Sequence, residues 1–197
     1  MAKAKSGLVQ KILSAVCLVL SLLLFTTMFM PTFGVKGVEG EDNSITLSTI
    51  DLVKGISASN EDLANATLTL LNPSAEESER EAALKLITAR GFAESEDASA
   101  YGATMIFSFA VSVLGLIGAI VSLVALLRKG PGMGTIILSV VTTILGVVLM
   151  ICANSALSQL AVAGTETLNV GAGVWVALVS TIAVTACAIT GKVLRKK

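Results

Sequence analysis

Four long stretches of the chain hold apolar and small residues without a single charged side chain. They cover residues 12–35, 98–127, 130–165 and 167–191. About 20 apolar residues are enough for an α-helix to cross the hydrocarbon core of a bilayer, so each stretch predicts a membrane-spanning helix. The third stretch is longer than one crossing needs, and Asn154, Ser155 and Gln159 mark where it leaves the lipid. The pattern predicts an all-α integral membrane protein with a four-transmembrane-helix bundle.

The segment boundaries follow from the same pattern. The first predicted span lies with the N-terminus in residues 1–33, and it is followed by an extracellular loop domain over residues 34–100. Turn residues at 128–134 make the second and third spans antiparallel neighbours. The remaining predicted segments are transmembrane helices 101–127, 135–154 and 172–191, a second extracellular loop 155–171, and a basic tail 192–197.

Charge is sorted between the segments that separate the spans. One set carries only basic residues, namely Lys3, Lys5, Lys11, Arg128, Lys129, Lys192, Arg195, Lys196 and Lys197. The other set carries the remaining five basic residues and all 14 acidic ones. Because Lys and Arg beside spans are retained in the cytoplasm, both termini are predicted to lie inside. We therefore expect a multi-pass plasma membrane protein with its acidic loops outside.

The N-terminal stretch has a second interpretation, a cleaved signal peptide. Its basic start and its small residues near Gly34 fit one, and cleavage would leave three spans. The apolar run is longer than the 7 to 15 residues usual for a signal peptide, so a retained span is the preferred interpretation.

The first extracellular loop has the signals of a small α+β domain. Alternation of apolar and polar residues, with β-branched side chains, predicts a short strand or hairpin over residues 44–56. Capping sequences at Ser59 and Ser74 predict helices over residues 60–71 and 74–90. Tyr101 and Trp175 are predicted at the outer membrane interface, where aromatic rings are enriched.

The composition argues against chemistry at depth in the bilayer. The charge-free stretches also contain no histidine, and an ionisable group at mid-bilayer costs about 2.5–3.5 kcal/mol unless it serves a task such as proton relay. The cysteines Cys17, Cys152 and Cys187 all lie in apolar stretches. We therefore predict no catalytic residue, no cofactor and no metal. Calcium binding by loop acids and an enzyme of the outer face are the alternatives.

Small residues recur at helical spacing along the predicted spans. Such spacing lets helix backbones approach closely, which matters in lipid because it supplies no hydrophobic drive for helices to associate. The two interpretations are a compact monomeric bundle and a face that pairs with another membrane protein or a second copy. The candidate helix-packing residues are Gly115, Gly118, Ala119, Ser122, Gly146, Gly173, Ala177 and Gly191.

This arrangement of four spans with a long first outer loop and a short inner turn resembles the claudin-type tetraspan architecture. The resemblance is one of topology. The family's first-loop tryptophans and cysteines are missing, since the one tryptophan is Trp175. No functional residue is carried over from the family. We predict a non-enzymatic structural or interaction component that binds lipid and membrane proteins but no nucleic acid. The alternative is an oligomeric pore or a small transporter subunit.

Overall fold

The computed structural model describes residues 2–36, 44–94, 98–128, 132–160 and 167–196. Within these ranges the chain forms helices with three short strands. In chain order the elements are α1 (Ala2–Thr26), a 3₁₀ turn (Thr27–Phe29), β1 (Pro31–Lys36), β2 (Ser44–Ser48), α2 (Thr49–Ser57), α3 (Asn60–Leu71), α4 (Glu77–Glu94), α5 (Ala98–Leu127), α6 (Met133–Leu160), β3 (Thr167–Val170) and α7 (Ala172–Lys196).

Four helices are long and apolar enough to cross a membrane, which confirms the predicted number of spans. The apolar segments are Gly7–Phe29, Ser99–Leu127, Met133–Leu157 and Ala172–Leu194, with mean hydropathies of 2.5, 2.7, 2.8 and 2.1. The third helix continues to Leu160, past the predicted end at residue 154. Asn154 and Ser155 are therefore helical. Their polar side chains are unfavourable in lipid, but they do not interrupt the backbone hydrogen bonds of the helix.

The chain divides into two compact units, which we describe separately. The bundle unit comprises Met1–Thr27, Phe107–Met150 and Val174–Lys197. The loop unit comprises Met28–Ile106 and Ile151–Gly173.

A three-stranded antiparallel sheet in the order β2-β1-β3 organises the loop unit. Phe33 of β1 lies opposite Leu47 of β2 on one side and Val170 of β3 on the other. Proline has no backbone N–H to donate to a neighbouring strand, but at the first position of a strand this loses few hydrogen bonds. Pro31 can therefore both end the helical segment and begin β1. Residues 34–36, at the start of the predicted extracellular loop domain, belong to this strand.

The predicted hairpin over residues 44–56 is wrong in its second half. The strand ends at Ser48, and residues 49–57 form α2. Ser48 begins this helix with a reciprocal capping box, in which its hydroxyl accepts from the Asp51 backbone N–H and its own N–H donates to the Asp51 carboxylate at 2.9 Å. Capping satisfies backbone donors that a helix start leaves open, so it favours the helix over a continued strand.

The predicted helix 60–71 is present as α3, with Ser59 and Asp62 forming its capping box. The helix predicted over residues 74–90 instead covers Glu77–Glu94. Its proposed cap, Ser74, donates its backbone N–H to the side-chain oxygen of Asn72 at 3.0 Å. The Asn72-Pro73 turn therefore holds Ser74 outside the helix.

Three stacked aromatic rings form the core of the loop unit. Phe92 and Tyr101 have ring centroids 5.6 Å apart, and Phe33 lies 6.1 Å from Phe92 and 6.3 Å from Tyr101. The Tyr101 hydroxyl donates to the Ala89 carbonyl at 3.4 Å. Tyr101 is thus buried rather than placed at a lipid interface as predicted, whereas Trp175 is exposed.

Several predicted features lie at least partly outside the described residues. These are positions 37–43 and 95–97 of the first extracellular loop, positions 129–131 of the inner turn, and positions 161–166 of the second loop.

The α3 capping box gives a prediction about pH. The Ser59 hydroxyl donates to the Asp62 carboxylate at 2.7 Å and the Ser59 backbone N–H donates at 2.8 Å, and these bonds hold the pKa of Asp62 below its ordinary value. A depressed folded pKa means that the stabilisation is present above the unfolded value of about 3.9 and is lost as the pH falls through the folded one. We expect an NMR titration to place the Asp62 midpoint below 3.9. Ser59→Ala should raise that midpoint, and an unchanged midpoint would contradict the cap assignment.

Candidate functional site

Two of the candidate helix-packing glycines on α5 face α1. A Cβ atom added at Gly115 would lie 2.7 Å from the Leu24 Cβ and 3.0 Å from both the Phe25 backbone N and the Ser21 carbonyl oxygen. A Cβ added at Gly118 would lie 3.1 Å from the Ser21 Oγ. Absence of a side chain therefore allows the two helices of the bundle unit to approach at backbone distance.

The other small residues of the spans are also enclosed within the chain. A Cβ added at Gly146 of α6 would lie 3.0 Å from the Thr181 Oγ1 of α7. The remaining candidates of the bundle unit, Ala119, Ser122, Ala177 and Gly191, are buried. Their surfaces are covered by the same chain, so they are not free to contact a partner in this conformation.

Gly173 differs from the other candidates in what it contacts. A Cβ at this position would lie 2.9 Å from the Pro31 carbonyl oxygen and 3.0 Å from the Met30 Cβ. Its neighbour Gly171 also approaches Pro31 and donates its backbone N–H to the Thr32 carbonyl at 2.9 Å. Gly173 therefore packs on the start of β1 inside the loop unit rather than on another helix.

Hydroxyl side chains line the inside of the bundle unit. Several donate to a carbonyl of their own helix, as Thr142 does to Leu138 at 2.8 Å. Thr143 also connects two helices, since it contacts the Thr181 carbonyl at 3.0 Å and the Thr185 hydroxyl at 2.8 Å. The buried hydroxyl residues of this unit are Ser14, Ser21, Thr27, Ser108, Ser112, Ser122, Thr135, Ser139, Thr142, Ser180 and Thr181. Their inward position does not support a pore between copies, because such a path would need them on outer faces.

Large apolar side chains cover the outer faces of the spanning helices. In each apolar segment the buried share lies between 28% and 39%, so most of the apolar surface faces outward. In water such a surface would be unfavourable, whereas the hydrocarbon core of a bilayer accommodates it. This distribution identifies the chain as a multi-pass membrane protein that contacts lipid.

The loop unit contains a cleft of about 620 Å³ bordered by α2, α3 and α4. Ala66 and Ala83 are buried and line it, and acidic and basic side chains also line it. Glu81 and Lys85 form an ion pair at 2.7 Å, and Lys54 lies on the α2 side. Because the two signs are mixed, the cleft favours neither a simple anion nor a simple cation.

Two leucines of α3 are exposed on the surface of the loop unit. Leu68 is 64% exposed and Leu71 is 75% exposed, and their spacing of three residues places them on one face of the helix. Val53 and Ile56 of α2 form a second exposed pair with the same spacing. The sequence analysis did not predict either pair. The leucines between Leu63 and Leu71 are spread around the helix, which indicates more apolar surface than one core can bury.

The described residues offer no metal centre. Across residues 2–36, 44–94, 98–128, 132–160 and 167–196, no three side chains of histidine, cysteine, aspartate or glutamate come together as metal ligands would. The acids of α4 lie on a helix rather than in a calcium-binding loop, whose ligands come from closely spaced positions.

Comparison with protein-family models, curated proteins and solved structures yields no match for this chain. Four candidate spans are consistent with a tetraspan topology, and no family match supports a claudin-type assignment. Function must be inferred from the surfaces that the structure presents.

Proposed function

We propose that the chain is a non-enzymatic, four-span plasma membrane protein that acts as a structural or interaction component through its loop unit. In this proposal both termini are cytoplasmic and the loop unit is extracellular. The positive-inside distribution of Lys and Arg supports the orientation. The lack of Asp, Glu, Lys, Arg and His in the charge-free stretches supports a role without intramembrane chemistry.

The single observation that carries the proposal is the exposed leucine pair Leu68 and Leu71. Isolated exposed leucines are ordinary, but two on one helix face form a continuous apolar surface. Removing a leucine side chain from water contributes about 1.5–3 kcal/mol, so a partner that covers both would gain substantial affinity. The candidate helix-packing residues of the spans are already enclosed within the chain, which leaves this face as the best candidate for partner contact.

A double substitution, Leu68→Ser with Leu71→Ser, tests the leucine face. Full-length tagged protein is treated with a membrane-impermeant crosslinker on intact cells that naturally express it. We expect the wild type to give a discrete crosslinked complex and the double variant to give at least about tenfold less of it. A loss of about 1.4 kcal/mol in binding free energy lowers the affinity tenfold. Both leucines are exposed, so the free energy of unfolding should change by no more than about 0.5 kcal/mol.

Thr69→Ala is the matched control, because Thr69 lies on the same helix but borders the cleft. It should leave the crosslinked complex unchanged. A wild-type protein that stays monomeric and uncrosslinked in intact membranes and in mild detergent would contradict the proposal. Loss of the complex in Thr69→Ala but not in the double variant would assign the contact to the cleft instead.

A further inference from the structure

A small cavity lies in the bundle unit, and all four of its helices line it. Its volume is about 20 Å³. Each helix contributes at least one hydroxyl group: Ser21 from α1, Ser122 from α5, Ser139 and Thr142 from α6, and Thr181 from α7. A cavity lined partly by hydroxyl groups is unexpected in a bundle packed through small residues, because close packing of that kind leaves few voids.

Ser122 is the member of this set without a hydrogen-bond partner. It is 1% exposed, and its Oγ atom neither donates nor accepts within the protein. A buried hydroxyl that loses its hydrogen bonds to water without replacing them costs free energy, so native structures rarely leave one unpaired.

Three of the other hydroxyls around the cavity, those of Ser139, Thr142 and Thr181, donate to a carbonyl of their own helix but retain acceptor capacity. Ser139 donates to the Ile136 carbonyl at 2.9 Å, and Thr181 donates to the Leu178 carbonyl at 2.8 Å. Each oxygen still carries lone pairs that can accept a hydrogen bond. The cavity thus combines the unpaired Ser122 hydroxyl with hydroxyl acceptors on neighbouring helices.

We propose that this cavity binds one water molecule, which accepts a hydrogen bond from Ser122 and donates to hydroxyl oxygens of the neighbouring helices. A cavity needs roughly 10–15 Å³ of probe-occupied volume to hold a water, so the space is large enough for one. A calcium or magnesium ion is excluded by the lining, since such ions require six or more oxygen ligands, usually with carboxylates among them. The water is a structural ligand that hydrogen-bonds several spans together.

The substitution Ser122→Ala distinguishes a hydrated cavity from an empty one. If the water is present, the substitution removes one of its partners and weakens its binding, and we expect the Tm in detergent or bicelles to fall by about 2–4 °C. If the cavity is empty, the substitution merely deletes an unpaired hydroxyl and should raise the Tm or leave it unchanged.

Ser14→Ala provides the matched control. Ser14 is also 1% exposed and its Oγ also has no partner, but it does not line this cavity. We expect Ser14→Ala to leave the Tm unchanged or to raise it. The same response in both variants would overturn the proposal.

A direct readout accompanies the thermal comparison. A high-resolution map of the wild-type protein in lipid should show a water within hydrogen-bond distance of the Ser122 Oγ, and the map of Ser122→Ala should show it weakened or lost. An empty cavity in the wild-type map would overturn the proposal whatever the Tm values.

Discussion

Gly115→Ala is expected to destabilise the bundle by about 1–3 kcal/mol, the usual cost of adding a methyl group where there is no room. The added Cβ would lie 2.7 Å from the Leu24 Cβ and 3.0 Å from two backbone atoms of α1. Backbone cannot rotate away as a flexible side chain can, so α1 and α5 must separate. The intrinsic preference of a helix for alanine over glycine opposes this cost by up to about 1 kcal/mol. Steric repulsion against backbone should exceed that gain.

Gly102→Ala on the same helix is the control for Gly115→Ala. Nothing lies within 4 Å of the position that its Cβ would take. Only the helix-propensity gain applies there, so this variant should be as stable as the wild type or more stable. Thermal unfolding in the same detergent measures both. Equal Tm values for the two variants would show that α1 does not approach α5 at Gly115.

The second large effect is expected in the loop unit, at Gly55. A Cβ added there would lie 2.5 Å from the Ala89 Cβ, 2.8 Å from the Ala89 carbonyl carbon and 2.9 Å from the Arg90 backbone N. Gly55→Ala should therefore push α2 away from α4 at a cost of about 1–3 kcal/mol. The hydrogen bond from the Arg90 guanidinium to the Ile56 carbonyl, now 3.2 Å, should weaken with it.

Hydrogen exchange measures this loss of stability separately in each segment of the chain. We expect faster exchange in peptides covering residues 49–57 and 77–94 of Gly55→Ala than in the wild type. Gly91→Ala on α4 serves as the comparison, because nothing lies within 4 Å of its added Cβ. If exchange from α2 is the same in Gly55→Ala and Gly91→Ala, then α2 is not held against α4 through this glycine.

The spans could be predicted from the sequence because the bilayer requires long apolar helices whatever the tertiary contacts. The sheet could not be predicted, since β1 and β3 are short and pair residues far apart in the chain, such as Phe33 with Val170. Alternating residues suggested that the strand at Ser44 continues, whereas the capping box of Ser48 and Asp51 ends it. The sequence contains the box as Ser48 followed three residues later by Asp51, but the alternation over residues 44–50 favours a strand.

For the candidate helix-packing residues too, the sequence indicated the kind of contact but not which residues meet. The small residues indicated that backbones approach closely somewhere in the spans. Only the structure shows that Gly115 faces α1 while Gly173 contacts the start of β1. The exposed pair Leu68 and Leu71 required knowledge of which α3 face packs on its neighbours, and helical spacing alone does not give that.

The inward hydroxyls have a consequence for biogenesis. Thr142 and Thr181 each donate to a carbonyl three or four residues earlier in their own helix, so these groups are satisfied before any neighbouring helix arrives. These two hydroxyls can therefore enter the bilayer without exposing an unpaired donor to hydrocarbon, unlike those of Ser14 and Ser122. At Thr142 and Thr181, insertion into the membrane does not depend on helix packing, so a substitution that prevents α6 and α7 from packing need not leave either hydroxyl unpaired in the bilayer.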